Sequence, residues 1–132
     1  MILVDTSVWI DFFNGRNTPH RKRLHDLLEG DEDICLIEII LMEVLQGIKE
    51  DKQHRTIKDY FFALTILQSI PVETFLHASD IYRMCRKKGM TIRKAVDCLI
   101  SAVAIENDAE LLHNDSDFNR IAECTNLKIF NI

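Results

Sequence analysis

The sequence predicts an α/β protein: a three-layer α/β/α sandwich with a short central parallel sheet of about five strands. Two observations carry that prediction. Apolar runs at residues 1–4, 34–37, 70–72, 111–112 and 127–130 are brief and lack in/out alternation, as strands buried on both faces do. Between the runs, apolar residues recur at helical spacing. Short strands alternating with helices imply parallel pairing through right-handed crossovers that cover both faces of the sheet. The length of 132 residues fits one domain, residues 1–132, with a self-sufficient core.

The elements follow in chain order. The first strand is closed by Asp5, and a helix begins near Thr6. Pro19 suits the first turn of a second helix and Gly30 its end. The strand at residues 34–37 leads into a helix carrying Glu43. Ile57, Tyr60, Phe61, Leu64 and Leu67 share one helical face, as do Ala78, Ile81, Tyr82 and Cys85 in a helix that Gly89 suits as an end. Val96, Leu99, Ile100, Val103 and Ala104 mark a further helix, followed by a strand over residues 110–113.

Composition narrows the class. Apolar residues make up 47% and charged residues 28%, with 4 Gly and 2 Pro, which excludes collagen-like, low-complexity and disordered chains. A formal net charge of −5 argues against duplex binding by bulk charge and leaves room for local basic patches. Cys35, Cys85, Cys98 and Cys124 have no C-x-x-C spacing and sit in apolar segments, so they read as reduced thiols of a cytoplasmic protein. Asp5 interrupts the first apolar run too early for a secretory signal. The longest uncharged stretch, residues 60–72, falls short of the roughly 18 residues that suggest a membrane span.

In open parallel sheets, ligands collect beyond the carboxyl ends of the strands. Asp5 and Asp115 fall at two such ends, and Glu43 and Asp97 lie on helices that can face the same cleft. Each acid also has a purely structural reading. Asp5 and Asp115 suit helix caps, Asp97 complements a helix dipole, and Glu43 suits a solvated helix face. If the four converge, their mutual repulsion is large. Two unit charges about 4 Å apart repel by roughly 4 kcal/mol at an effective dielectric near 20. Such a cluster holds protons or a cation. Oxygen ligands with room for water select Mg²⁺ or Mn²⁺, and no His or Cys stands at zinc spacing. Such an ion suits phosphoryl chemistry, because it activates water and neutralises phosphodiester charge.

Four segments taken together resemble the PIN-domain ribonucleases, specifically the VapC-type toxins of type II toxin–antitoxin pairs. They are Ile2-Leu3-Val4-Asp5-Thr6-Ser7-Val8-Trp9-Ile10, the Glu43 segment ending at Gly47, the Asp97-Cys98-Leu99-Ile100 helix start, and Leu111-Leu112-His113-Asn114-Asp115-Ser116-Asp117-Phe118. Their order and spacing agree with that family over nearly the whole chain. The resemblance implies a PIN-like fold and a Mg²⁺- or Mn²⁺-dependent endoribonuclease, with Asp5, Glu43, Asp97 and Asp115 as catalytic and metal-holding residues. Thr6, Ser7 and Asp117 would support them from behind. His113 stands where many relatives have Thr and reads as a packed strand-end residue. The resemblance also implies a small VapB-like antitoxin that inhibits the enzyme, a homodimer within a larger complex, and DNA contact only through the antitoxin.

Most of the 16 basic residues fall in two segments, Arg16, Arg21, Lys22 and Arg23, then Arg83, Arg86, Lys87, Lys88, Arg93 and Lys94. Arg86, Lys87, Lys88, Arg93 and Lys94 run towards Asp97 and are candidate phosphate contacts for an RNA substrate; a solvated helix face and loop is the alternative. Trp9, Phe12 and Phe13 suit core or interface packing better than base stacking. Two other functions remain open on sequence grounds. One is a PIN nuclease of RNA processing without a toxin role. The other is a metal-binding receiver-like signalling module, which would want adjacent acids after the first strand and a partner Lys at a later strand end.

Overall fold

A computed structural model describes residues 1–132. It contains β1 (Ile2–Val4), α1 (Thr6–Asn14), α2 (Pro19–Glu29), β2 (Ile34–Ile37), α3 (Glu38–Gln46), α4 (Asp51–Phe62), β3 (Thr65–Leu67), α5 (Glu73–Lys87), α6 (Ala95–Glu106), β4 (Glu110–Leu112), α7 (Ser116–Cys124) and β5 (Lys128–Ile129). The strands form one parallel sheet in the order β3-β2-β1-β4-β5. Helices α1 to α4 pack among themselves, as do α5 to α7. Right-handed crossovers that travel outward from β1 in opposite directions place these groups on opposite faces, giving the three layers.

The central strands β1 and β2 are covered on both faces. Every residue of β1 and β2 is buried, so continuous apolar runs replace alternation. Pro19 stands at the start of α2, where a missing N–H costs nothing, and the Thr18 side chain accepts from the Arg21 N–H at 3.1 Å. Gly89 follows α5 with φ +81°, a left-handed conformation that favours glycine. Gly30 also follows its helix, but with φ −92°, so no glycine is required there.

Two expectations fail in one stretch of chain. Residues 70–72 are not a strand; the strand is β3, Thr65–Leu67, and it pairs with β2. Pro71 brings no N–H to a ladder, and the Ile70 N–H donates instead to Thr74 Oγ1 at 2.7 Å. Val72 turns the chain into α5 with φ 67°. Consequently α4 ends at Phe62, and Leu64 and Leu67 lie beyond it although they continue its apolar spacing.

Trp9 sits at the centre of an aromatic cluster. Its ring lies 5.1 Å from Phe61 and stacks on Phe13 at 5.8 Å, and it has no exposed surface. Phe12 and Phe13 pack against the same core, so these rings join α1 to α4. All four cysteines are free. Burial pushes the Cys35 and Cys85 thiols up to about 12 and Cys98 to about 11, which keeps them protonated and unreactive at neutral pH. No helix is long and apolar enough to cross a membrane.

Candidate active site

The strand order reverses at β1. The chain runs β1, β2, β3 to one side and then returns to place β4 on the other. This switch point opens a crevice beyond the carboxyl ends of β1 and β4. Val4 pairs with Leu112, and the Asp5 N–H donates to the Leu112 carbonyl at 2.9 Å. Asp5 therefore leaves the sheet beside the loop that carries His113 and Asp115. α6 brings Asp97 in on its first turn.

Asp97 is buried, 3% exposed, and its Oδ2 has no hydrogen-bond partner. Burial pushes its carboxyl up to about 7, and the charges of Asp5, Asp115 and Asp117 push the same way against the pull of Lys94. Burial also raises Asp5, although the Ser7 hydroxyl, donating to its Oδ2 at 3.0 Å, and the Thr6 and Ser7 backbone N–H groups favour its charged form. The Glu43 charge adds to the upward push, so Glu43 faces Asp5. Thr6 Oγ1 donates to Glu43 Oε1 at 2.8 Å and fixes α3 against α1. Thr6 and Ser7 thus each contact an acid of the quartet.

Asp115 caps α7, its Oδ1 accepting from the Asp117 N–H at 3.0 Å. The cap engages Oδ1 and leaves Oδ2 outside it. Asp5, by contrast, precedes α1 without a side-chain cap bond, and its Oδ2 accepts the Ser7 hydroxyl. Asp117 is fully buried. Its Oδ2 accepts from the Arg93 backbone N–H at 3.2 Å and from Arg93 Nε at 3.1 Å, and its Oδ1 from Arg120 Nη1 at 2.6 Å. Burial pushes Asp117 up, but these donors together outweigh it and hold the carboxyl below the usual range. His113 is packed against Phe118 with ring centroids 5.2 Å apart. Its Nδ1 accepts the Asp115 N–H at 3.0 Å, and burial lowers its pKa, so the ring stays neutral and orders the loop.

The donor set of Asp5, Glu43, Asp97 and Asp115 is all oxygen and includes one buried oxygen without a partner, which fits a hard divalent cation. As placed, no three His, Cys, Asp or Glu side chains stand close enough to hold an ion. Asp115 is turned towards Arg93, whose Nη2 donates to its Oδ1 at 2.9 Å, and Lys94 Nζ lies 4.0 Å from its Oδ2. Sequence spacing placed Arg93 beside the crevice; it carried no sign that Arg93 and Arg120 would engage the acids themselves. The only local hint is the i,i+3 spacing of Asp117 and Arg120 on one helix.

The PIN domain pattern matches residues 2–123. Ribonuclease VapC11 of Mycobacterium tuberculosis is 38% identical over 129 residues, spanning 97% of this chain and 96% of that protein. The chain belongs to the PIN-domain family, among the VapC ribonucleases. Ribonuclease VapC1 of Methanocaldococcus jannaschii is 37% identical over 130 residues, spanning 98% of this VapC-type chain and 86% of its relative. In fold it matches a chain of VapBC2 from Rickettsia felis, a complex bound to a DNA fragment from its promoter, with a TM-score of 0.75 at 23% identity over 100% and 99% of the two chains. The sheet order and the switch point are thus those of a VapC-type PIN domain, and the receiver-like alternative is set aside.

Proposed function

We propose that this VapC-type protein is the toxin of a type II toxin–antitoxin pair, a Mg²⁺- or Mn²⁺-dependent endoribonuclease that hydrolyses RNA phosphodiesters. The observation that carries this reading is the buried, unpartnered Asp97 Oδ2 beside Asp5 at the β1/β4 switch point. A carboxylate buried that far from water without a donor needs either a proton or a cation.

Asp5, Asp97 and Asp115 would hold the ion, with Glu43 completing the set. When bound, a divalent ion supplies an activated water and neutralises charge on the phosphodiester. The chain's own part is positioning. Ser7 holds Asp5, and Thr6 holds Glu43 with one oxygen left free to orient water or take its proton. The Ser7 hydroxyl is committed to Asp5, and no His or Lys is arranged to make it a nucleophile, so no covalent intermediate is needed. Arg86, Lys87, Lys88, Arg93 and Lys94, exposed at the end of α5 and in the loop before α6, would grip RNA phosphates; Arg93 and Lys94 already stand beside Asp115.

A small VapB-like antitoxin is the expected inhibitor. Complexes titled VapBC from Rickettsia felis and from Haemophilus influenzae both contain chains of this fold. A cytoplasmic homodimer within such a complex, touching DNA only through the antitoxin, completes the reading.

The test is sequencing of RNA 5′ ends after brief induction, comparing this chain with Asp5→Asn, alongside cleavage by the purified proteins. The variant should fold and lose cleavage. Equal activity in the purified Asp5→Asn protein would refute the assignment.

A further inference from the structure

Arg93 makes three hydrogen bonds to two acids, and those bonds differ in kind. Two of them, from the backbone N–H and Nε, go to a single oxygen of Asp117, which has no exposed surface. Arg120 takes the other oxygen of Asp117. Both oxygens are therefore consumed by cationic or backbone donors, which makes Asp117 an anchor for Arg93 and leaves it no free oxygen as an ion ligand. The third bond runs from Nη2 to Asp115 Oδ1 at 2.9 Å, at the rim, where the arginine side chain is 65% exposed and that of Asp115 17%.

The carboxylates fall short of an ion-holding arrangement although Asp97 has an oxygen to spare. A guanidinium on Asp115 supplies the positive charge that the acidic crevice demands, and it turns Asp115 towards the rim. A fork-shaped cation can serve two acids at once, which a lysine ammonium cannot do in the same pose.

We infer that Arg93 is an ion-exchangeable latch: hinged on Asp117, it holds Asp115 through Nη2 and gives it up to a divalent ion that enters. The inference rests on the metal-dependent nuclease reading above. Release leaves Nη2 at the mouth of the crevice, still tethered to Asp117 through Nε and beside the path of an incoming phosphodiester. Arg93 is thus a positioning residue for Asp115 in one state and a phosphate contact in the other. No bond to Arg93 is made or broken covalently, and no proton need move.

The latch sets ion affinity and catalysis in opposition, which a merely structural arginine does not. Mn²⁺ alone, without RNA, is titrated into the whole protein with the free ion followed by electron paramagnetic resonance. Arg93→Ala should bind Mn²⁺ more tightly, on the order of tenfold, because its competitor for Asp115 is gone. At saturating Mn²⁺ the same variant should cleave RNA more slowly. Arg93→Lys keeps the charge without the fork and should also bind Mn²⁺ more tightly than the parent, while keeping more of its RNA affinity than Arg93→Ala. In an Asp115→Asn background, Arg93→Ala should no longer change Mn²⁺ affinity. Unchanged or weaker Mn²⁺ binding in Arg93→Ala overturns the latch and leaves the metal reading standing. Absence of Mn²⁺ binding by the parent protein overturns both.

Discussion

Thr6 Oγ1 donates to Glu43 Oε1 at 2.8 Å, joining the first turn of α1 to the middle of α3 across 37 residues of chain. The bond leaves one Glu43 oxygen free and sets its direction, so the acid on α3 is oriented by the residue that follows Asp5. Thr6→Val keeps the shape and removes the donor. Cleavage should fall about tenfold, the usual scale for losing a supporting hydrogen bond behind a metal ligand. Unchanged circular dichroism with reduced kcat/KM is the expected pair of readings; full activity in Thr6→Val would show that Glu43 needs no such support.

Asp97 makes stability depend on pH in a direction opposite to most carboxylates. Its folded-state pKa of about 7 lies above the unfolded value of 3.8. Between those pH values the native state holds the proton and the unfolded state does not. The Asp97 contribution to stability is therefore fully present below the unfolded value and is lost as pH rises towards 7, at up to about 1.4 kcal/mol per pH unit. Asp5, also raised, adds to the same trend. Asp97→Asn should melt higher than the parent at pH 8, with the gap closing as pH falls towards 5. Mg²⁺ should raise the melting temperature of the parent at pH 8 and leave that of Asp97→Asn nearly unchanged; an equal rise in both would detach Asp97 from the ion.

Lys87 ends α5 and Lys88 caps it before the Gly89 turn, both exposed and in no ion pair with an acid. Their reversal to Glu should weaken RNA binding without altering the melting temperature. For single strands each lost phosphate contact removes about 0.7 from the slope of log affinity against log salt, so losing two should flatten it by about 1.4. An unchanged slope would take this segment out of the RNA track.

Trp9 belongs to the core. Trp9→Ala should cost about 3 to 5 kcal/mol, read as a lower denaturation midpoint at constant m-value, because the cavity opens between Phe13 and Phe61. Trp9→Phe should fold and bind RNA with parental affinity. A loss of RNA affinity in that variant at retained stability would restore the base-stacking role.

How much of this was legible along the chain follows from the range of each interaction. β1 and β2 stand out because two-sided burial leaves unbroken apolar runs, and β4 through its buried Leu111 and Leu112. β3 does not. It is an edge strand of three residues, and its Thr65 is exposed. Its apolar spacing runs on from α4, and only the ladder to β2 makes it a strand. Residues 70–72 mislead for the converse reason: they are apolar and β-branched, yet Pro71 and the Thr74 hydroxyl bond close a turn there. Asp5, Asp97 and Asp115 were legible by their places at strand ends and a helix start, and Glu43 by the resemblance of its segment. The engagement of Asp117 by Arg93 was not, since it spans 24 residues and depends on how α6 and α7 meet.

The sequence by itself determined the α/β layer architecture and the places of the candidate acids along it, because periodicity, chain-breaking residues and the polarity of strand ends act over a few neighbouring residues. Tertiary structure alone decided that β1 and β4 lie side by side, that Asp97 enters the crevice with an unsatisfied oxygen, that Trp9 is interior, and that Arg93 closes on Asp115. Those outcomes depend on burial and charge pairing between segments far apart in the chain, where desolvation and Coulomb energy are set by distances that no local pattern encodes.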